Sequence, residues 1–102
     1  MRVQLLHIDA CPGHEPAGRR LRESLDALGL GDVPIDEVLV RSSADAAALP
    51  FAGSPTIVVD GEDLFPSPAN LLGLACRVYA TDAGLADSPT RSQITEALRA
   101  RM

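Results

Sequence analysis

Cys11 occupies a place where a thiol can act as a nucleophile, because it directly follows a predicted strand and precedes a predicted helix. The unpaired N–H groups and the positive dipole end of a helix start favour the thiolate, the reactive form of cysteine. Pro12 is expected in the first helical turn, where its missing N–H is not needed. His14 could stabilise the thiolate when protonated, whereas Asp9 and Glu15 oppose it. The alternative is a small apolar side chain that closes a turn.

The dipeptide Ser54-Pro55 is the second feature that could belong to a site. Proline has no N–H donor and is excluded from central positions of a strand, so Pro55 is expected at the first residue of the strand that follows. The bond before such a proline can be cis, although only about 5–6% of X-Pro bonds in folded proteins are. An ordinary trans proline at a strand start is the alternative.

Cys76 is the third candidate and the only other cysteine of the chain. It sits beside Arg77, whose charge would favour a thiolate. The alternative is an inert buried cysteine, because cysteine is among the most buried residue types. Cys11, His14 and Cys76 could also form a soft-metal site, but their spacing is a weak zinc signal, and His7 is interpreted as a half-buried core histidine.

The elements that must position these residues follow from the apolar pattern. Short apolar runs predict buried strands, and apolar residues three and four apart predict amphipathic helices. Asp60-Gly61 is a two-residue hairpin signal, and Ser88-Pro89 is expected to open the last helix with serine as its N-cap. The predicted elements are a strand over 3–8, a helix through Leu21, Leu25 and Leu28, a strand over 33–40, a helix over 44–49, strands over 56–60 and 62–65, and a helix through Ile94 and Leu98.

This order, β-α-β-α-β-β-α, predicts one α/β domain over residues 1–102. Its first part is a parallel β-α-β unit and its second part contains an antiparallel hairpin, so the expected sheet is mixed and four-stranded, with helices on both faces. Residues 71–79 are apolar and ambiguous between helix and strand. Residues 81–87 are polar and are expected to form a connector.

Composition excludes several classes of function. The net charge is −5, and all nine basic residues are arginine. The densest basic cluster, Arg19, Arg20 and Arg22, falls on a solvated helix face, so nucleic-acid binding is not expected. The amino terminus lacks the long apolar core of a signal peptide or membrane span, so a cytoplasmic protein without membrane contact is the default expectation. In a reducing cytosol, two cysteines are more often catalytic or inert than a permanent disulfide.

Two motifs together resemble the thioredoxin-like superfamily. They are Cys11-Pro12-Gly13-His14 between strand and helix, and Gly53-Ser54-Pro55-Thr56-Ile57-Val58-Val59-Asp60-Gly61. With Leu-Ala-Cys-Arg-Val-Tyr at residues 74–79, the chain is also similar to a group of small bacterial thioredoxin-like proteins, some labelled as related to alkylmercury lyase. The resemblance spans roughly residues 2–100 and implies a thioredoxin-like fold.

By position, the resemblance makes Cys11 the nucleophile and Pro55 a cis-proline that starts the third strand and packs against the cysteine. Ser54 and Pro55, with Pro12 and Gly13, would form the substrate-binding edge, because in this superfamily the backbone beside the proline pairs with the substrate's mixed disulfide. We therefore predict that the Ser54-Pro55 bond is cis.

The chain departs from the superfamily at His14, because a resolving cysteine usually stands three residues after the nucleophile. Cys11 thus cannot close the usual active-site disulfide, which argues against a general dithiol reductase. What remains is a monothiol function, a pair with the distant Cys76, or a binding role on a degenerate site.

The leading expectation is a thiol-disulfide oxidoreductase or a redox-sensing protein, in which Cys11 attacks a disulfide, His14 tunes the thiolate and Cys76 resolves the adduct. The partner would be a disulfide- or thiol-containing protein or a small thiol, and no cofactor is predicted. One alternative is a soft-metal protein that holds mercury, copper or zinc between Cys11 and Cys76. The other is a non-catalytic interaction domain. We also expect both cysteines to lie on the same edge of the domain.

Overall fold

A computed structural model describes residues 1–66 and 75–102 of the chain. In these ranges the elements, in chain order, are β1 (Val3–His7), α1 (His14–Ala27), β2 (Ile35–Leu39), α2 (Ser43–Ala48), β3 (Thr56–Val59), β4 (Glu62–Asp63), β5 (Tyr79–Thr81), β6 (Gly84–Ala86) and α3 (Arg91–Arg99). Strands β2, β1, β3 and β4 form one sheet in that order; β1 and β2 are parallel, and the other neighbours are antiparallel. The predicted α/β class, with a mixed four-stranded sheet and three helices, is confirmed.

The sheet separates two apolar cores, because successive side chains of a strand face opposite sides. Val3 and Leu5 of β1 are buried in the larger core with residues of α1 and α3, whereas Leu6 packs with Ala46 of α2 in the smaller one. Each fully buried leucine contributes about 1.5–3 kcal/mol relative to an exposed one. The predicted placement of helices on both faces is therefore confirmed.

Helices α1 and α3 cover the larger core together. Leu21 and Leu25 of α1 are fully buried, as are Ile94 and Leu98 of α3, and each pair is four residues apart and so lies on one helix face. Gly29 follows the end of α1 with a φ of 77°, a conformation that glycine adopts without steric cost. The apolar stripes predicted for both helices are therefore their buried faces.

The hairpin between β3 and β4 turns at the predicted dipeptide. Asp60 and Gly61 have φ angles of 52° and 83°, the positive values that a tight two-residue hairpin requires. The return strand is shorter than predicted and ends at Asp63 instead of residue 65. Leu64 still donates to the carbonyl of Ile57 at 2.8 Å, and after it the N–H of Phe65 donates to the Asp63 carboxylate at 2.9 Å.

The last helix begins two residues later than predicted. Thr90, not Ser88, is the N-cap of α3: its side chain accepts from the N–H of Gln93, and the Gln93 side chain accepts from the N–H of Thr90. This reciprocal capping box satisfies two donors at once. The buried Ser88 hydroxyl instead accepts from the Arg20 guanidinium at 2.8 Å.

A second, two-stranded sheet stands where the sequence predicted a connector. β5 and β6 pair antiparallel, and Gly84 enters β6 with a φ of 104°. Tyr79, the end of the segment that the sequence left ambiguous, is the first residue of β5. Residues 71–74 of that segment lie outside the described residues, so the prediction on them stays open.

No helix in the described ranges is long and apolar enough to cross a membrane. The longest, α1, has 14 residues, whereas a helical span needs about 20. Its length serves instead to cover the sheet, and its first residue, His14, stands beside the end of β1.

Candidate active site

The turn between β1 and α1 carries Cys11. The thiol is half-buried, and the carbonyl of Cys11 accepts from the N–H of His14 at 3.2 Å, which closes the turn directly before the helix. Ala10 adopts a φ of 55°, so the chain reverses sharply after β1. Because α1 begins at His14 after Gly13 as N-cap, Pro12 lies in the turn and not in the first helical turn as expected.

Gly13 brings this turn against Ser54-Pro55. A Cβ atom at residue 13 would lie 2.2 Å from the carbonyl oxygen of Asp87 and 3.1 Å from Cδ of Pro55. The first of these distances is far inside van der Waals contact, and the atom it involves is backbone. Glycine is therefore required here by close approach, which explains the third position of the Cys11-Pro12-Gly13-His14 motif.

The Ser54-Pro55 peptide bond is cis, as predicted. Ser54 is buried, and its hydroxyl accepts from the N–H of Ile8 at 3.0 Å. This bond ties the dipeptide to the residue that directly follows β1, three positions before Cys11. Pro55 directly precedes β3, as the strand-start prediction requires.

The segment Ala75–Arg77 uses both backbone groups of Ser54. The N–H of Ser54 donates to the carbonyl of Ala75, and the N–H of Arg77 donates to the carbonyl of Ser54, both at 2.8 Å. Cys76 stands opposite Ser54 in this parallel bridge. Its side chain is exposed, so the alternative that Cys76 is buried is wrong.

Arg77 does not serve Cys76 in the way that their adjacency suggested. Neighbouring residues of an extended segment point to opposite sides, so Cys76 is exposed while Arg77 is 5% exposed. The guanidinium donates to the Asp63 carboxylate at 2.8 Å and to the carbonyl of Phe65, and it lies 4.6 Å from the ring centre of Tyr79. Arg77 is thus an anchor that holds the Cys76 segment against β4.

Tyr79 is a residue of this region that the sequence analysis did not single out. Its hydroxyl donates to the carbonyl of Pro55, and its ring is buried. Burial raises the pKa of this phenol well above its usual range; Arg77 opposes the rise, and the negative charges of Asp63 and Cys11 add to it. The phenol is therefore a neutral hydrogen-bond donor to the Pro55 carbonyl at physiological pH. The one feature of the sequence that could have drawn attention to Tyr79 is that the chain has no other tyrosine.

The His14 ring has partners other than the one expected. Its Nε2 atom lies 2.6 Å from Oε1 of Glu37, and it stacks on the His7 ring with centroids 3.6 Å apart and planes 5° from parallel. The sequence predicts His14 as a partner of Cys11 and His7 as a half-buried core residue, and it gives no sign of a role for Glu37. We name these three residues, His7, His14 and Glu37, the imidazole cluster.

Strand register explains why the imidazole cluster forms. β1 and β2 pair in parallel with Leu5 opposite Glu37, so Glu37 shares the face of the sheet that α1 covers. His7 follows Leu5 by two residues and lies on the same face. Gly18 of α1 lies over the same face: a Cβ there would be 3.3 Å from the Leu5 side chain and 3.9 Å from the Glu37 carboxylate.

A shallow, partly apolar groove lies beside Cys76. Its volume is about 590 Å³, and two large apolar side chains next to it, Val78 and Leu85, are 61% and 78% exposed. Asp87, whose carbonyl lies against Gly13, also lines the groove. The groove therefore extends from Cys76 toward the backbone that packs against the Cys11 turn.

Comparison with known proteins adds no assignment. No protein-family model, no curated protein and no solved structure matches this chain. The thioredoxin-like resemblance therefore stays a prediction from the motifs of the chain itself.

Proposed function

We propose that this protein is a thiol-disulfide oxidoreductase of thioredoxin-like fold, in which Cys11 attacks a disulfide and Cys76 resolves the adduct. The observation that carries the proposal is that the chain's two free cysteines flank one dipeptide. The Cys11 turn packs on Pro55 through Gly13, and Cys76 stands opposite Ser54. We name Cys11, Ser54, Pro55 and Cys76 the thiol corner.

The architecture supports a thioredoxin-like fold in particular. The parallel pair β1 and β2, followed by antiparallel β3 and β4, is the mixed sheet that the sequence resemblance implies. Cys11 follows the first strand and Ser54-Pro55 precedes the third, which are the positions of the superfamily's nucleophile and proline.

The reaction consists of two exchanges. The Cys11 thiolate forms a bond to one sulfur of the partner's disulfide, whose S–S bond breaks, and the other partner sulfur leaves as a thiolate that takes a proton from water. The Cys76 thiolate then attacks the Cys11 sulfur and releases the second partner thiolate. The partner's disulfide gains two electrons, and Cys11 and Cys76 lose two as they form a disulfide. Two molecules of a small cellular thiol return the pair to the reduced state by two reverse exchanges and leave as their own disulfide.

Three other residues act by positioning these thiols. Tyr79 holds the Pro55 carbonyl, and Arg77 fixes the Cys76 segment through Asp63. His14 does not exchange a proton with Cys11 in the proposed reaction, because its ring is hydrogen-bonded to Glu37 and stacked on His7. The exposed apolar groove beside Cys76 is where the flanks of a disulfide-bearing peptide would lie.

The test uses an aromatic disulfide as a substitute for the partner, added in one equivalent to the fully reduced protein. We expect the wild type to release two equivalents of aryl thiolate and to yield a Cys11–Cys76 linked peptide on mapping. The Cys76→Ser variant should release one equivalent and retain the aryl adduct on Cys11. The Cys11→Ser variant, with the exposed Cys76 alone, is the matched control and should react more slowly.

The proposal fails if the wild type keeps a separate adduct on each cysteine and no linked peptide forms. A direct disulfide needs Cα atoms no more than about 7 Å apart, so such a result would also show that Cys11 and Cys76 cannot close without backbone movement. An unreactive Cys11 would favour the non-catalytic interaction domain.

The same pair of thiols favours one further candidate, a soft-metal thiolate site between Cys11 and Cys76. Two thiolates that flank one dipeptide are donors that select mercury or copper(I) over harder ions. Titration of Hg²⁺ against both thiols distinguishes the two functions. One tightly held ion that blocks both cysteines, in a protein that does not exchange with the aromatic disulfide, would favour the metal function.

A further inference from the structure

Three elements bring potential metal ligands together beside the thiol corner. His7 is the last residue of β1, His14 is the first residue of α1, and Glu37 lies in β2. Each offers one ligand atom, and these atoms all lie within 4.8 Å of one another. The chain has only two histidines, and both belong to this cluster.

We propose that the imidazole cluster binds a divalent transition-metal ion, with Zn²⁺ as the ion that the donor set fits best. Two imidazole nitrogens and one carboxylate oxygen suit zinc and its neighbours in the first transition row. Calcium and magnesium prefer sites made entirely of oxygen ligands. Three protein ligands leave a fourth position of a tetrahedral zinc ion open to water or to a substrate atom.

The backbone orients His7 for this role. Its Nδ1 atom lies 3.2 Å from the carbonyl oxygen of Ile8. A carbonyl oxygen only accepts, so this contact places the ring proton on Nδ1 and leaves the lone pair of Nε2 available. Metal-ligating histidines usually donate their second ring nitrogen in this way, which fixes both the tautomer and the ring orientation.

A proton now links two of the ligands, and the metal would replace it. The 2.6 Å contact between His14 and Glu37 is a short, charge-assisted hydrogen bond when His14 is protonated. Zinc sits about 2.0–2.2 Å from each nitrogen or oxygen ligand, so its entry separates these two atoms and releases the proton. The His7 and His14 rings are stacked in parallel, and one must also turn to point its lone pair at the ion. The His14 and Glu37 side chains are 29% and 57% exposed and have room to do so.

The site would control the segment that carries Cys11. Residues 8–13 form the connection between the two histidine ligands, and Cys11 lies within it. A metal ion bound by His7 and His14 would close this connection into a short loop fastened at both ends. Occupancy would thus hold the Cys11 turn, although binding itself does not depend on either cysteine.

The test is a Zn²⁺ titration of the tag-free Cys11→Ser/Cys76→Ser protein, which removes the thiols as rival ligands. Binding is measured by calorimetry, and the imidazole resonances are followed by NMR, where the two histidines give the only signals of their kind. We expect one ion per chain and shifts of both imidazoles. Glu37→Gln should weaken binding by at least about tenfold, in the range seen even for residues that only support a ligand.

Asp36→Asn is the matched control, because Asp36 is the exposed neighbour of Glu37 on the opposite face of β2. It should leave the affinity unchanged. The proposal is overturned if saturating Zn²⁺ moves neither imidazole, or if Glu37→Gln and His14→Asn bind as tightly as the parent. Glu37 is exposed, so its variant is expected to fold, and thermal unfolding without metal checks this directly.

Discussion

The thiol corner and the imidazole cluster both contact the connection between β1 and α1, but they are stabilised by different kinds of interaction. The thiol corner depends on backbone: both main-chain groups of Ser54 are paired, and Gly13 packs closely against the Asp87 backbone and Pro55. The imidazole cluster depends on three partly or largely exposed side chains. Changes in shape and in buried charge should therefore damage the first, whereas a change in exposed charge should affect only the second.

The largest effect is expected from removing the Asp63 carboxylate, whose ion pair with Arg77 supports the thiol corner. Asp63→Asn leaves the Arg77 guanidinium buried without its carboxylate, and breaking a buried ion pair from one side costs about 3–5 kcal/mol. We expect a loss near the lower limit, since Arg77 keeps the Phe65 carbonyl. Chemical denaturation measures it.

The matched control for this variant is Asp82→Asn, the same change at an exposed residue of the β5–β6 hairpin. It should alter the free energy of unfolding by less than about 0.5 kcal/mol. Equal effects of both variants would contradict the anchoring role of Arg77.

The next largest effect is expected at Gly13. Gly13→Ala places a methyl group on the Asp87 carbonyl, and overpacking of this kind costs about 1–3 kcal/mol. Because the turn must shift away from Pro55, the release of a second aryl thiolate should also fall. Gly31→Ala is the control: its Cβ meets only the flexible Asp26 side chain, and its stability should change by less than about 1 kcal/mol. If both alanines are tolerated equally, close approach does not explain Gly13.

These residues also show what the sequence could predict. Pro55 at a strand start, the Asp60-Gly61 turn and the stripes of α1 and α3 follow from backbone rules that act over a few residues, and all were predicted. The sequence also contains a signal for the Thr90 cap, because Gln93 completes a capping box, but Ser88-Pro89 is a competing local signal for the helix start.

The partners of each site could not be predicted in the same way. His7 meets Glu37 only through the parallel register of β1 and β2, which packing of the whole sheet sets. The adjacency of Arg77 and Cys76 predicts that the arginine charge favours the thiolate. Their side chains point to opposite sides of the segment because the segment is extended, and the sequence left its conformation ambiguous. In both cases the residue types indicate what chemistry is available, but they do not predict which distant residues come into contact.

A pH titration sharpens the comparison from the side of the thiol corner. Since burial raises the pKa of the Tyr79 phenol, the unfolded chain releases this proton near pH 10 while the folded chain keeps it. Titration of this phenol therefore leaves the free energy of unfolding unchanged below pH 10 and lowers it above pH 10, by about 1.4 kcal/mol per pH unit. Tyr79 is the only tyrosine and the chain has no tryptophan, so the near-ultraviolet absorbance band of the phenolate reports this residue alone.

Tyr79→Phe serves as the control for the titration. It should be less stable at neutral pH by about 1–3 kcal/mol, because the Pro55 carbonyl loses its donor. The part of the alkaline loss that comes from the phenol should disappear. A native phenol that ionises near pH 10 would contradict the buried, hydrogen-bonded state.

The smallest effect on stability is expected at the imidazole cluster, and it separates the two regions most clearly. Glu37→Gln removes one partner of a largely exposed ion pair, and such pairs contribute about 0–1 kcal/mol, so unfolding without metal should be nearly unchanged. With Zn²⁺ present, the parent should gain thermal stability through binding to the folded state, and the variant should not. The rate of aryl disulfide exchange without metal should be equal in both, because Glu37 belongs to no contact of the thiol corner in the described part of the chain. A variant destabilised as strongly as Asp63→Asn would show that the cluster is part of the structural support of the fold, and the division between a region built by backbone and one built by exposed side chains would no longer hold.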